Sequence, residues 1–441
     1  MWSKGFVAAV VLAVALRLLL VWMGWGATLG NRVEFSTALT SWKRLREGAY
    51  LEYLGLSAYE GNVHHHPPLV RMLFFVPMMT GLEHLLFIAM DVAIALVLRA
   101  VAALYFAGEG RSCRYTVPQW APHAIAVIYL FNPLAVSTCI SRSTAVLENL
   151  TTMLSLMFAL QNNVWACTGL LAISAYISLY PIQLLIPMAL LLKNSKVVTV
   201  GVFLAYVGLL VQLSYEVSGR SWDWVYGTYN VIVQVTDLTP NIGLFWYFFQ
   251  EVFDHFRSLF CAVLQLNCFF YLTPLTICLH KKPVLLFWII LTLLATLKPY
   301  PTVADLAIEF ALLPLFAPLV ASFFFRFLVV FLIFLFVLPL LMPIAWHSWI
   351  YDGSGNANFY YGMTLAIAAA QIFLISEMLH GTFEDIYRHK HKLDFYKACP
   401  CPWKGDDDRE EEEERKADEE AIPPASVDSP LHNRAVASAS R

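Results

Sequence analysis

The chain has 441 residues, 59% of them hydrophobic and only 14% charged, where an ordinary soluble domain carries roughly a quarter charged residues. So apolar a chain needs a solvent other than water, which excludes a water-soluble enzyme and predicts an all-α polytopic membrane protein. The formal net charge of −3 is weighted by the stretch GDDDREEEEERKADEE after Trp403 and Lys404; the remainder is mildly basic and has no basic stripe, which excludes a nucleic-acid partner.

The first apolar run, GFVAAVVLAVALRLLLVWMGW from Gly5, is long, carries Arg17 and lacks a clear cleavage site, so it reads as a retained span and not as a leader. A polar region follows (24–68), too long for a tight connector. It holds Glu34 and the run His64, His65, His66 before Pro67 and Pro68. Imidazole is a common metal ligand. Adjacent histidines point in different directions, however, and no cysteine or spaced acids accompany them, so neither a metal site nor a cofactor is predicted.

Further apolar segments fall near 83–107, 120–137, 146–160, 164–179, 181–193, 197–215, 259–279, 283–298, 302–320, 323–345 and 359–380. With the first, they predict about twelve transmembrane helices in a membrane domain covering 1–397. Lys4, Arg111, Arg114, Lys193, Lys196, Lys281, Lys282 and the basic stretch 388–397 fall on one side of this map. Positive charge in short loops stays cytosolic, which places both termini in the cytosol. The segments 24–68, 216–258 and 346–358 then lie on the opposite side. The tail, 398–441, is acidic and poor in aromatics and reads as disordered. Its CPC motif, Cys399 to Cys401, could be palmitoylated, bind a metal or be an idle surface pair.

Charges inside apolar segments are functional hypotheses by default. Arg17 lies in the first span, and Asp91 and Arg99 lie eight apart on one helix face. Asp305 and Glu309 are four apart with Lys298 close by, which puts the two acids on one face. Structural pairing, with Arg17 joined to one of these acids, is the simpler reading; coupling of moving parts is the other.

The stretch DLTPNIGLFWYFFQEVFDHF, 237–256, holds seven aromatic residues between Phe245 and Phe256. Asp237 or Thr239 can cap a helix and Pro240 suits its first turn. On a helical wheel Ile242, Phe245, Trp246, Phe248, Phe249, Val252, Phe253 and Phe256 fill one arc, and Asn241, Tyr247, Gln250, Glu251, Asp254 and Arg257 most of the other. Burying Glu251 and Asp254 in lipid would cost roughly 2.5–3.5 kcal/mol each. The pattern therefore predicts an amphipathic helix at the membrane interface, either touching lipid or packed on neighbouring spans. In WHSWIYDGSGNANFYYG, from Trp346, Asp352, Gly353 and Gly355 make turns. Asn356 and Asn358 offer neutral donors and acceptors that suit sugar hydroxyls or phosphate oxygens, or that cap the next span.

Read in order, SWKRLREG, LGLSAYEG, HHHPPL, YLFNPLAV, SLYP, DLTPNIGLFWYFF, KPYPTVAD and WIY with GSGNANFYY resemble subunit U of the glycosylphosphatidylinositol (GPI) transamidase, from the first span to about His380. A weaker resemblance is to the GPI mannosyltransferase that adds the first mannose, a C-class glycosyltransferase, and implies a similar bundle. Those enzymes place an acidic pair in the first loop. Here the matching place reads NRVEFST, with Glu34 the lone acid, which argues against glycosyl transfer.

The resemblance implies a non-catalytic subunit in the endoplasmic reticulum membrane, with no cofactor. Transamidation needs a nucleophile near a base, and in the family that chemistry sits in a separate protease-like subunit. The implied partners are that subunit, a GPI-anchor attachment protein 1-type subunit, S- and T-type subunits, the GPI lipid, the C-terminal attachment signal of the proprotein, and membrane lipid. The candidate lipid contacts are Asn356 and Asn358, then Asn241, Phe245, Trp246, Phe249 and Tyr300. An active lipid-linked-sugar-dependent mannosyltransferase is the alternative. A lipid transporter is a third reading, but the sequence shows no clear internal repeat.

Overall fold

A computed structural model describes residues 4–108 and 118–390. Among these every regular element is helical. Each of the twelve apolar intervals contains a helix. Seven are long and apolar enough to cross a membrane alone: Lys4–Trp22, Glu83–Ala107, Lys196–Val217, Asp254–Leu279, Val303–Ser322, Phe324–Tyr351 and Ala357–Tyr387. The pair Ala121–Phe131 and Pro133–Ile140, bent by 52°, is long and apolar enough only when taken together. Pro133 causes the bend: it lacks an N–H and forces Asn132 out of helical geometry. The Asn132 side chain then caps the second half by accepting from the Leu134 N–H at 2.9 Å. Five shorter apolar helices complete the set, among them Ala145–Leu160, Val164–Ser178 and Pro283–Leu297. Pro283–Leu297 is almost wholly buried, whereas Lys4–Trp22 and Lys196–Val217 turn most of their apolar residues outward, as a lipid-facing surface requires.

The intramembrane charges are paired. Arg17 and Asp91, both 0% exposed, meet with Nε donating to Asp91 Oδ2 at 2.8 Å, and the Tyr129 hydroxyl donates to Oδ1 at 2.7 Å. Arg99 does not join them; its guanidinium lies 5.6 Å from the Phe6 ring. Asp305 and Glu309 share a helix but serve different partners. Asp305 accepts from Lys298 Nζ at 2.7 Å and closes a capping box with Thr302. Glu309 accepts from Gln371 at 2.9 Å, in the C-terminal helix.

The expected continuous helix through 240–256 is not formed. Residues 237–244 are irregular, a short helix spans Phe245–Glu251, and a break at Val252 and Phe253 precedes the next, Asp254–Phe270. Local side chains capture the backbone before a helix can start: Asp237 Oδ1 accepts from Thr239 N at 2.8 Å, and Asn241 Oδ1 from Gly243 N at 2.7 Å. At the break, Arg257 folds back over the Phe249 ring at 5.1 Å and donates to the Phe249 carbonyl at 3.3 Å, capping the short helix. The aromatic arc is thereby divided. Ile242, Phe245, Trp246 and Phe249 are buried, while Phe253 and Phe256 are exposed.

Candidate functional site

The polar segments converge at one end of the bundle. The helix Trp42–Tyr53 begins at Ser41, whose hydroxyl accepts from Arg44 N. It buries Trp42 edge-on against Phe74 and Phe87, each at 5.5 Å. Arg44 crosses to the second polar segment, where Nη1 pairs with Asp237 at 2.5 Å and Nη2 donates to Thr239 Oγ1 at 3.1 Å. Gly48 passes so close to His64 that a Cβ there would sit 2.4 Å from the ring. Residues 298–305 bind the second segment from below. Tyr300 OH donates to the Asp237 carbonyl at 2.9 Å, Asn241 Nδ2 donates to the Pro299 carbonyl at 3.3 Å, and Pro301 packs on Gly243.

The three histidines are structural neighbours with separate duties. His64 Nδ1 faces the Arg44 carbonyl at 3.1 Å, His65 Nδ1 the Gly227 carbonyl at 2.7 Å, and His66 Nε2 the Thr144 hydroxyl at 3.1 Å. A carbonyl only accepts, so the first two rings carry their proton on Nδ1. Burial holds all three below the ordinary imidazole range, His64 at about 3, and the rings are neutral. Burial pushes the Asp237 carboxyl up, but hydrogen bonding from Thr239 and the Arg44 charge outweigh it, leaving its pKa below the usual carboxylate value.

Two candidate surfaces result. The first is an aromatic rim. Trp246 stacks on Trp349 at 6.1 Å and meets Tyr361 edge-on at 5.9 Å; Tyr247 lies 4.7 Å from Tyr361 and donates to Asn358 Oδ1. Asn356 and Asn358 are exposed here, and Arg32 lies 5.9 Å from the Trp346 ring. Arg32 also grips Glu34 with both oxygens, at 2.6 and 3.1 Å, and Glu34 is 3% exposed. The other expected lipid contacts are set back: Phe245, Trp246, Phe249, Asn241 and Tyr300 are all buried. They hold the rim in place, and Asn241 and Tyr300 spend their polar groups on backbone.

The second surface, which sequence reasoning missed, is a cavity of about 780 Å³ between the first loop and residues 223–237. Tyr59, Glu60, His65, Asp223, Tyr226 and Asp237 contribute to its wall, and a widened π-turn, Tyr226–Asn230, forms one side. Gly227 matters here because a Cβ would lie 2.5 Å from the Tyr59 ring. The only signal in the sequence was the concentration of polar residues in two long loops; nothing joined them across 162 positions from His65 to Gly227.

The model of the GPI transamidase subunit PIG-U family matches residues 11–367. The chain belongs to the PIG-U family. It is 34% identical to the GPI-anchor transamidase component PIGU of Homo sapiens, over 88% of this chain and 95% of the human one. Against the GPI transamidase component GAB1 of Saccharomyces cerevisiae the identity is 35%, over 78% of this chain and 85% of the yeast one. The GAB1 homolog of Schizosaccharomyces pombe is 30% identical over 80% and 86%. The PIG-U match covers every motif from SWKRLREG to GSGNANFYY, including the rim up to Tyr361 and both walls of the cavity. It supports the transamidase-subunit reading over that of an active mannosyltransferase. The tail with Cys399 and Cys401, the basic stretch beyond Lys390, and Arg111 and Arg114 lie outside the described residues.

Proposed function

We propose that this chain is a non-catalytic subunit of a GPI transamidase in the endoplasmic reticulum membrane, with both termini cytosolic. The end bearing the rim and the cavity would then be luminal. There it would hold the polar part of the GPI lipid beside the other subunits, close to the C-terminal attachment signal. The observation that carries this reading is the pairing of exposed amides with aromatics at one rim: Asn358 bonded to Tyr247, Asn356 exposed two residues before it, and the Trp246–Trp349 stack in the same rim. Amides donate and accept toward sugar hydroxyls and phosphate oxygens, and aromatic side chains favour the membrane interface.

A scaffold and not an enzyme is supported by the state of the reactive groups. Acyl transfer needs a nucleophile activated by a base. The cysteines of the described residues lie in helices and are mostly buried, and Cys261 and Cys268 donate to backbone carbonyls. Glu34, the acid nearest to a glycosyltransferase base, is engaged by Arg32 on both oxygens.

The test is purification of the complex from gently solubilised membranes, with mass spectrometry of proteins and lipids together. Asn356→Ala with Asn358→Ala is expected to lose GPI lipid while keeping the protein partners, and Glu34→Gln to keep anchor attachment largely intact. A chain that emerges alone and turns over a lipid-linked sugar overturns the proposal.

A further inference from the structure

The cavity beside His65 has a charge and a hydrogen-bonding pattern that call for a particular kind of group. Three carboxylates line it, Glu60, Asp223 and Asp237, and no lysine or arginine does. Arg44 answers Asp237 from behind the wall; Glu60 and Asp223 are exposed to the opening. His65 is 2% exposed and its Nε2 has no hydrogen-bond partner. Because Nδ1 holds the proton for the Gly227 carbonyl, Nε2 can only accept. It stands 3.9 Å from Asp237 Oδ2, which also accepts. Two acceptors, one of them buried and unsatisfied, therefore face each other too far apart to bond and with no proton between them. A buried polar atom left in this state is destabilising until a donor reaches it.

A single atom that satisfies both must donate at least two protons. A hydroxyl has one; a water or a primary amide has two but carries no charge. An ammonium has three, and its charge suits the three carboxylates of the lining. The cavity, about 780 Å³, falls in the roughly 300–1,000 Å³ range of small-molecule sites. Tyr226, 70% exposed, offers a ring face at the edge to a cation or a sugar.

We infer that this cavity binds a primary ammonium group carried on a short polar or sugar scaffold, held between His65 Nε2 and Asp237 Oδ2. The inference rests on the proposed function for its source. A GPI carries such amines as ethanolamine phosphate and as an unacetylated glucosamine, and both share this chemistry. The cavity is a site separate from the Asn356 and Asn358 rim. It adds recognition of the amine to recognition of phosphate and glycan oxygens.

The test uses the full-length chain, in its complex where one is recovered, in lipid nanodiscs. Ethanolamine phosphate and glucosaminyl-inositol are titrated by calorimetry, each beside its N-acetylated counterpart, which keeps the scaffold and removes the charge. Saturable binding of one or both amines is expected, with the N-acetyl forms weaker by about tenfold or more, the worth of a charge-assisted hydrogen bond. Which amine binds tells the two sources apart. Glu60→Gln with Asp223→Asn changes only exposed side chains and so leaves the fold in place. It is expected to weaken the amines by about tenfold and to flatten their salt dependence. Equal binding of amine and N-acetyl forms, unchanged amine binding in the double variant, or no saturable binding of either amine overturns the inference. None of these results touches the rim: lipid lost on Asn356→Ala with Asn358→Ala, beside a cavity indifferent to amines, leaves the proposed function standing. The reverse result sinks the lipid reading and keeps the cavity.

Discussion

Acidification should destabilise this protein through its histidine run, with His64 the clearest contributor. The ring is 1% exposed, its Nδ1 proton goes to the Arg44 carbonyl, and its Nε2 has no partner. A second proton would have to sit on that buried nitrogen. Burial, with Arg71 and His65 nearby adding to it against the Arg44 carbonyl, holds the folded pKa at about 3, while the unfolded value is about 6.5. Between these values the unfolded chain binds the proton and the folded chain does not. Stability is therefore full above the unfolded pKa and falls as pH drops through it, continuing down to the folded value. From pH ~7.5 to ~5 the loss from His64 alone is about 2 kcal/mol; His65 and His66 are shifted the same way and add to it. The assay is SDS-driven unfolding in mixed micelles at the two pH values, comparing wild type with His64→Asn. Asparagine keeps a donor near the Arg44 carbonyl and removes the titrating ring. The readout is the difference between the two pH values within each protein, so any packing loss in the variant cancels. A wild type whose acid sensitivity matches that of His64→Asn would refute the reasoning.

Two further outcomes are expected. Arg17→Leu or Asp91→Leu alone should each cost about 3–5 kcal/mol, because each leaves an uncompensated buried charge, and the double variant should recover most of that; melting of the detergent-solubilised protein by intrinsic fluorescence checks both. Gly48→Ala should destabilise by about 1–3 kcal/mol despite alanine's better helix propensity, since its Cβ would meet the His64 ring at 2.4 Å. Gly201→Ala, inside helix Lys196–Val217 with nothing within 4 Å, is the clash-free control in the same melting assay, expected to show the propensity gain alone.

What the sequence revealed depended on whether the cause was local. Apolar intervals announce helices because lipid leaves no other way to satisfy a backbone, so all twelve intervals were legible. The break at Asn132 and Pro133 has a local cause as well, since proline acts on its own turn, although 120–137 reads as one segment in the sequence. The charges Arg17, Asp91, Asp305 and Glu309 could be picked out, and so could the pairing of Arg17 with one of the acids and the nearness of Lys298 to Asp305, but the neutral partners Tyr129 and Gln371, from helices distant in sequence, could not. The aromatic stripe misled even though its breaks have near-neighbour causes. Its period is helical, yet Asp237 and Asn241 bind the backbone locally and Arg257 caps the short helix by reaching back to Phe249, with a further bond to the Val235 carbonyl. Three of its seven rings are buried, and Trp246 is covered by Trp349 and by Tyr361 of helix Ala357–Lys390. The cavity has walls from two loops that only tertiary structure joins.

The motifs DLTPNIG and KPYPTVAD gain a physical meaning when read as one object. Lys298 pairs with Asp305, the Pro299 carbonyl accepts from Asn241, Tyr300 OH donates to the Asp237 carbonyl, Pro301 fills the space a Gly243 side chain would need, and Thr302 caps the next helix. Three of these contacts tie one string to the other, and two fix the second string within itself. The strap they form runs from Asp237, in the cavity wall, to Trp246, under the rim. Asp237 is held by Arg44 and Thr239 within the protein itself, so its carboxylate is already aimed before a ligand arrives. A ligand at either surface then need not order this loop, and the entropy of doing so is not subtracted from its affinity. The same rigidity fixes the distance between the two surfaces, which makes the strap the element that decides whether one headgroup can reach both.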